Sequence, residues 1–364
     1  MALKAHKIAL RATEEQRAWF AQQCGYARVA YNYGLSDFKD GLSKDEWRSA
    51  RTLRQRFNAA KREKFNWCSA CDQRAAAYAF ENLDEAIKRW RSGQNKFPKY
   101  KKRSYRQSYT VEGAKVKMEG KHIRLPKIGQ IRMFETLRFE GEIRKVTISR
   151  KAHRWFVSIL VDTGTPNTPR DTRGLPVVGI DVGINTLATL DDGKRYENPR
   201  PLKQYERKLK REQRKLSRKV FLSNNWYKQK RKVERLHYRI ACIREDTHHK
   251  ATTEIVKSAS AIGIETLKVT NMLKHRKLAK ALSDSALGGF LEKLRTKAET
   301  LGIRIVQASQ FFASSKICSN CEHKKEGLTL SDREYQCSEC GTSIDRDQNA
   351  AINLRTIACG SHEM

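Results

Sequence analysis

Apolar and polar residues alternate over residues 2–10 (ALKAHKIAL), the period-two signature of a short strand. Thr13, followed by Glu14, Glu15 and Gln16, then predicts a helix start, because a hydroxyl cap and early acids satisfy free N–H groups. From there to Trp90, apolar positions such as Trp19, Phe20, Tyr26, Val29, Ala30 and Tyr33 recur every three or four residues, which predicts a helical bundle. Residues 75–90 (AAAYAFENLDEAIKRW) form another strong helix. A basic loop, KFPKYKKRSYR at 96–106, has no periodicity. Beyond it, SYTVEG, KHIRLP, IRMF, IRKVTISR and RWFVSILVD have the alternation and β-branched content of strands, ending near Asp162. The Pro-, Thr- and Gly-rich stretch at 163–176 reads as a linker.

Past that linker, PVVGIDVGINTLATLDDGKRYENP predicts strand, Gly turn and strand, leading into a third strand or a loop. Residues 203–235 are helical with a break near Ser223, Asn224 and Asn225, and helix continues over 251–260. SAIGIETLKV is a buried strand by its apolar run, a helix spans about 284–301, and IRIVQAS is a further strand. This order predicts an α/β multidomain protein whose second half holds a mixed sheet.

Charge narrows the function. The 364 residues, enough for two or three compact units, carry 74 Lys+Arg against 40 Asp+Glu, a formal net charge of +34. Such a charge repels itself unless a polyanion neutralises it, and nucleic acid does so with release of counterions. An acidic membrane surface is the competing partner, but the cations are spread along the chain rather than gathered on one amphipathic helix. No apolar run of 18 residues exists and MALKAHKIAL lacks a secretory core, so a soluble cytoplasmic protein with no membrane partner is expected.

The nine cysteines are odd in number and unevenly placed, unlike a secreted disulfide framework. Cys318-x-x-Cys321 and Cys337-x-x-Cys340, fifteen residues apart, form two knuckles able to close a tetrahedral, structural Zn²⁺ site. Lys316, Lys324, Lys325 and Arg333 surround it, which places the knuckle against nucleic acid. Cys68-x-x-Cys71 has no second pair and reads as helix-end packing; Cys24 and Cys242 read as small core residues, and Cys359 carries no signal.

Three acids stand in special places. Asp181 ends an apolar strand between Gly179 and Gly183, Glu265 ends another, and Asp347 follows the knuckle at a helix start near Asn349. A carboxylate at such a position is costly to desolvate unless a cation compensates. Three of them from separate elements can hold two Mg²⁺ ions about 4 Å apart for phosphodiester cleavage. The plainer readings stand beside this one: Asp345 or Asp347 caps the helix, and Asp181 is a turn residue.

GIDVGINTLATL, GIETLKVTNM, SSKICSNC…CSECG and DRDQNAAINL resemble, in order, the split RuvC motifs and zinc knuckle of TnpB proteins, transposon-encoded relatives of the type V CRISPR effectors. The resemblance extends to QRAWFAQQCGYARVAYNYGL, KFPKYKKRSYRQSYT, DTHHKATTEIVKSA and LAKALSDSALGGFLEKLRTKAETLG, and so covers nearly the whole chain. It implies an RNase H-like RuvC nuclease domain (176–317 and 341–356) with a zinc-ribbon insertion for target nucleic acid (318–340) and a tail at 357–364. It further implies an OB-like wedge domain (1–12 and 96–165) interrupted by a helical recognition lobe (13–95). The implied activity is RNA-guided cleavage of double-stranded DNA beside a short transposon-adjacent motif, with two Mg²⁺ on Asp181, Glu265 and Asp347. Asp347 is preferred over Asp345 because D-x-N-A-A is the family pattern.

The guide RNA would derive from the transposon end, and the enzyme would act as a monomer, associated with the nucleoid of a prokaryotic cell. Residues 203–235, with 14 basic and 3 acidic residues, would line the heteroduplex channel through Lys208, Arg211, Arg214, Lys215 and Arg218; a solvated helical face is the plainer reading. Lys99, Lys101, Lys102 and Arg103 of the basic loop would touch nucleic acid, and Gln73, Gln107 and Ser108 would read the adjacent motif. Leu287 stands where the family usually has Trp, and the tail is short. The rival readings are a DNA transposase or accessory transposition protein, and an RNA-guided regulator that has lost its acids; all three acids are present here.

Overall fold

Alternation along the first residues becomes strand β1 (Leu3–Arg11), with Ile8 and Leu10 buried on one face. Thr13 then caps helix α1 (Glu14–Leu42) through a full capping box, accepting from the Gln16 amide at 3.2 Å while the Gln16 side chain accepts from the Thr13 N–H at 3.0 Å. In this computed structural model the described residues are 2–103, 106–165, 168–328 and 332–360. Ser104 and Tyr105 of the basic loop, three residues of the knuckle segment and the final residues 361–364 lie outside them. The chain divides into two units, Met1–Pro166 and Asn167–Met364, with the division inside the Pro- and Thr-rich stretch.

In the first unit, α2 (Ala50–Lys64) and α3 (Gln73–Arg91) complete a helical block with α1. Six further strands follow: β2 (Ser108–Glu112), β3 (Lys117–Glu119), β4 (His122–Leu125), β5 (Gly129–Met133), β6 (Glu142–Lys151) and β7 (Arg154–Asp162). They join β1 in an antiparallel sheet of order β2-β6-β7-β1-β5-β4-β3. The helices are thus inserted in sequence between β1, which is central in the sheet, and the remaining strands. One apolar cluster, with Phe20, Phe57, Val111 and Val157 fully buried, joins helices to sheet. Cys24, Cys68 and Cys71 are buried in it as small packing residues.

The second unit holds a five-stranded mixed sheet. β8 (Val177–Asp181), β9 (Thr186–Leu190) and β10 (Arg195–Glu197) pair antiparallel. The long hairpin of α4 (Pro201–Ser217) and α5 (Asn224–Ser258) follows, with Ser223 capping α5. The chain then returns as β11 (Ala261–Ile264), parallel to β8. After α6 (Val269–Met272), α7 (Ala279–Ser285) and α8 (Leu287–Leu301) comes β12 (Arg304–Gln307), parallel to β11, giving the order β10-β9-β8-β11-β12. A small hairpin, β13 (Glu334–Gln336) and β14 (Ser343–Asp345), precedes the long helix α9 (Arg346–Gly360).

Several expectations are corrected. The helix expected over 284–301 is two helices, broken at Ala286, whose φ of +48° lies in the left-handed region. α9 begins at Arg346 rather than near Asn349 and runs through Gly360, into the stretch expected as tail. Cys242 is exposed, not a core residue. β3 was not expected from the pattern. Among the described residues no helix is long and apolar enough to cross a membrane.

Candidate functional site

The site is assembled by two glycines. β8 and β11 run parallel with Gly179 opposite Gly263 and Ile180 opposite Ile264. Side chains alternate along strands, so Asp181 and Glu265, two residues beyond those glycines, share the glycine face. α9 covers that face at backbone contact. A Cβ on Gly179 would lie 1.8 Å from the Ala351 carbonyl oxygen, and one on Gly263 2.1 Å from that of Leu354. Asp347 lies in the first turn of α9, one turn before Ala351.

Glu265 and Asp347 both act on Asp181. Burial, followed by the charges of Glu265 and Asp347, pushes the Asp181 carboxyl well above the usual carboxylate range; Arg346 opposes this and Asp345 adds to it. Ser314, itself buried, donates its hydroxyl to Glu265 Oε1. The helix cap is Asp345: its Oδ1 accepts from the backbone N–H groups of Asp347 and Gln348, each at 3.1 Å, and its Oδ2 pairs with Arg195 at 2.8 Å. Capping therefore occupies Asp345, while the Asp347 carboxylate pairs with Arg346 at 3.4 Å. Mutually repelling carboxylates with hard oxygen donors fit a divalent cation such as Mg²⁺.

The four knuckle cysteines converge. Cys318 and Cys340 sulfurs are 3.6 Å apart, those of Cys321 and Cys337 3.5 Å, and all four lie within 4.8 Å of one another. A tetrahedral Zn–S bond of about 2.3 Å separates sulfurs by about 3.8 Å, so this quartet fits the ion. Tyr335 is fully buried beneath it, its hydroxyl donating to the Lys316 and His323 carbonyls. Two buried asparagines of α9 clasp the knuckle. Asn349 accepts from Ser319 N–H at 2.9 Å and donates to the Ile317 carbonyl at 2.7 Å, and Asn353 donates to Ser314 and Ile317. The helix that carries Asp347 therefore also holds the knuckle.

Sequence reasoning missed Ser314, Asn349 and Asn353. Two amides one turn apart among Ala350, Ala351 and Leu354 were the available signal, since buried amides need partners.

The expected basic contacts divide. Lys208, Arg211, Arg214 and Lys215 on α4 and Arg218 just past its end are all exposed, and Arg211 and Lys215 also share the buried Glu212 at 3.4 and 3.8 Å. Lys324 pairs with Glu326, so its charge is offset by an acid, while Lys316 and Lys325 donate to backbone carbonyls that position them without removing their charge. In the first unit, Lys99, Lys102 and Arg103 are exposed. Lys101 is exposed as a residue too, yet its ammonium lies 3.7 Å from the Tyr31 ring centre, and local desolvation lowers its pKa to about 8. Gln73 opens α3 with its side-chain oxygen taken by Lys61 at 2.7 Å; Gln107 donates weakly to the Arg103 carbonyl, and Ser108 opens β2 opposite Ser149.

With this geometry in hand, comparison with known proteins is decisive. The "Putative RNA-guided DNA endonuclease InsQ" of Escherichia coli (strain K12) is 30% identical over 98% of this chain and 94% of its own. A Streptomyces pristinaespiralis protein, named likewise but without the gene designation, is 34% identical over 98% of this chain and 91% of its own. The chain belongs to the TnpB family. Family models described as "Probable transposase" and "Cas12f1-like, TNB domain" match residues 158–276 and 288–354 of this TnpB-family chain. A third, described as "Helix-turn-helix domain", matches residues 1–46, which here form β1 and the single long helix α1. The fold is shared with a solved Cas12f1–sgRNA–target DNA complex, at a TM-score of 0.57 and 14% identity over 94% of this chain and 83% of that one.

Proposed function

We propose that this protein is an RNA-guided DNA endonuclease whose second unit is an RNase H-like RuvC domain. The convergence of Asp181, Glu265 and Asp347 on one end of β8, β11 and α9 carries the reading, and the relatives named as RNA-guided DNA endonucleases support it. Asp181, Glu265 and Asp347 would hold two Mg²⁺ ions, with Ser314 holding the Glu265 carboxylate through its Oε1. When bound, such a pair activates water and stabilises the leaving oxygen of a phosphodiester. The residues themselves would orient oxygen donors, and Asp345 caps the start of α9, the helix that carries Asp347. Zn²⁺ on the cysteine quartet would keep the knuckle folded against α9 as the target-binding insertion.

The first unit would be the OB-like wedge with its inserted recognition helices, and Gln107 and Ser108 remain candidates for reading the motif beside the target. A guide RNA from the transposon end would supply sequence recognition by base pairing, and the cationic surface would grip backbone and duplex shape.

The test is to express the protein with its flanking DNA, sequence the co-purified RNA, and assay cleavage of a matching duplex. A discrete RNA and Mg²⁺-dependent cleavage are expected. Asp181→Ala and Glu265→Ala should each lower the cleavage rate by at least about 10³-fold with the RNA retained. Wild-type cleavage by either variant would overturn the site. Only degraded, random RNA would favour an unguided transposase.

A further inference from the structure

The tip of the α4–α5 hairpin carries a run of exposed apolar residues. Val220, Phe221 and Leu222 are 78%, 71% and 55% exposed, and Tyr227 is 43% exposed. Below them Trp226 forms the centre of an aromatic stack: Phe221 meets it edge-on with ring centres 5.1 Å apart, and Tyr227 does so at 5.2 Å. Lys230 caps the Trp226 face at 4.9 Å. Lys230 also pairs with Glu234 at 3.9 Å, whereas Arg218, Lys219, Lys228 and Arg231, near the tip in sequence, form no ion pair among the described residues, unlike Lys210, Arg211 and Lys215 further along α4. The hairpin's own small core, Leu209, Val233, Leu236 and Ile240, does not include the tip residues.

Exposed apolar residues in a row invite a partner. A second copy of the chain is a poor one, because a two-fold contact would set four unpaired cations against their own likes. Rings ringed by free cations match a different chemistry: aromatic faces stack bases while the cations hold phosphates. A paired duplex buries its base faces, so the partner must be unpaired.

We infer that this tip is a stacking platform for unpaired nucleotides of the RNA that the protein carries. The inference rests on the RNA-guided reading. RNA fits better than a displaced DNA strand because it is bound throughout and covers the apolar tip before any target is opened.

The protein is expressed with its RNA in cells fed 4-thiouridine, purified as the ribonucleoprotein, irradiated, and mapped by peptide mass spectrometry. Adducts at Phe221, Trp226 or Tyr227 are expected. In the F221A/Y227A variant these adducts should disappear and RNA affinity should fall about fivefold or more, the loss of one stacked base. Duplex DNA affinity and melting temperature should stay unchanged, since both side chains are solvent-facing. RNA that crosslinks only elsewhere, with unchanged affinity, overturns the platform while leaving the guided reading intact. Adducts that form at the tip only with a thiouracil-labelled displaced DNA strand overturn the choice of RNA. A dimer that F221A/Y227A converts to monomer overturns it in favour of a second copy. A chain that carries no discrete RNA defeats both readings.

Discussion

A single hydroxyl sets the orientation of one acid. Ser314 donates to Glu265 while its own carbonyl accepts from Asn353 at 2.8 Å, so the serine is held from both ends. Ser314→Ala should weaken Mn²⁺ binding to the isolated protein by about tenfold, the loss of a hydrogen bond to a charged group worth about 1.5 kcal/mol. Ser314→Thr should restore it, and metal titration by electron paramagnetic resonance reads both; unchanged affinity in the alanine variant would rule out the positioning role. His248 behaves oppositely, as a purely structural residue. It is buried, with Nε2 3.0 Å from the Ser285 carbonyl and Nδ1 without a partner among the described residues. Burial, then nearby Lys293, lowers its pKa to about 4. The unfolded chain takes up that proton first, near pH 6.5. This contribution to stability is therefore complete above about pH 6.5 and lost as pH falls toward about 4. Melting temperature against pH should show this slope in wild type and a shallower one in His248→Asn.

Helix α9 shows how far a sequence can be read at the level of elements. Strands, the Thr13 cap and the hairpin break were legible because alternation and capping residues act locally. Which of Asp345 and Asp347 caps the helix was not, since both sit where a cap can form; the family pattern preferred Asp347 as the metal-binding acid, and the first-turn hydrogen bonds make Asp345 the cap. The break at Ala286 was hidden because an alanine in left-handed conformation carries none of the glycine signal. β3 escaped as a three-residue edge strand, too short to show a period. Cys242 was misplaced because the buried face of α5 runs through Val233, Leu236 and Ile240, and two residues further on lies off that face. The glycines under α9 make a sharp prediction. Gly179→Ala drives a Cβ into the Ala351 carbonyl, so α9 must lift. Melting temperature should drop by several degrees and cleavage should be lost, whereas Gly327→Ala, with nothing within 4 Å and no left-handed φ, should cost far less. A cleaving Gly179→Ala enzyme of normal stability would contradict this packing.

For the molecule as a whole, a charge of +34 sets the terms of every encounter with a polyanion. Affinity for nucleic acid should fall about 10³-fold or more between about 50 and 200 mM salt, and fluorescence anisotropy across a salt series measures the slope. A flat response would remove the phosphate-contact argument. Zinc content, measured by mass spectrometry of metals, should be one ion per chain and lost in Cys337→Ser. The clasp between knuckle and α9 has one more consequence, in the order of synthesis. The three acids are drawn from positions 181, 265 and 347, and the last arrives on the helix that closes over the other two. A ribosome must therefore have added residue 347 before the acids can meet. A chain ended between residues 166 and 347 contains the whole first unit but no third carboxylate, so on the proposed assignment premature termination would disarm the protein instead of releasing an unguided cutter.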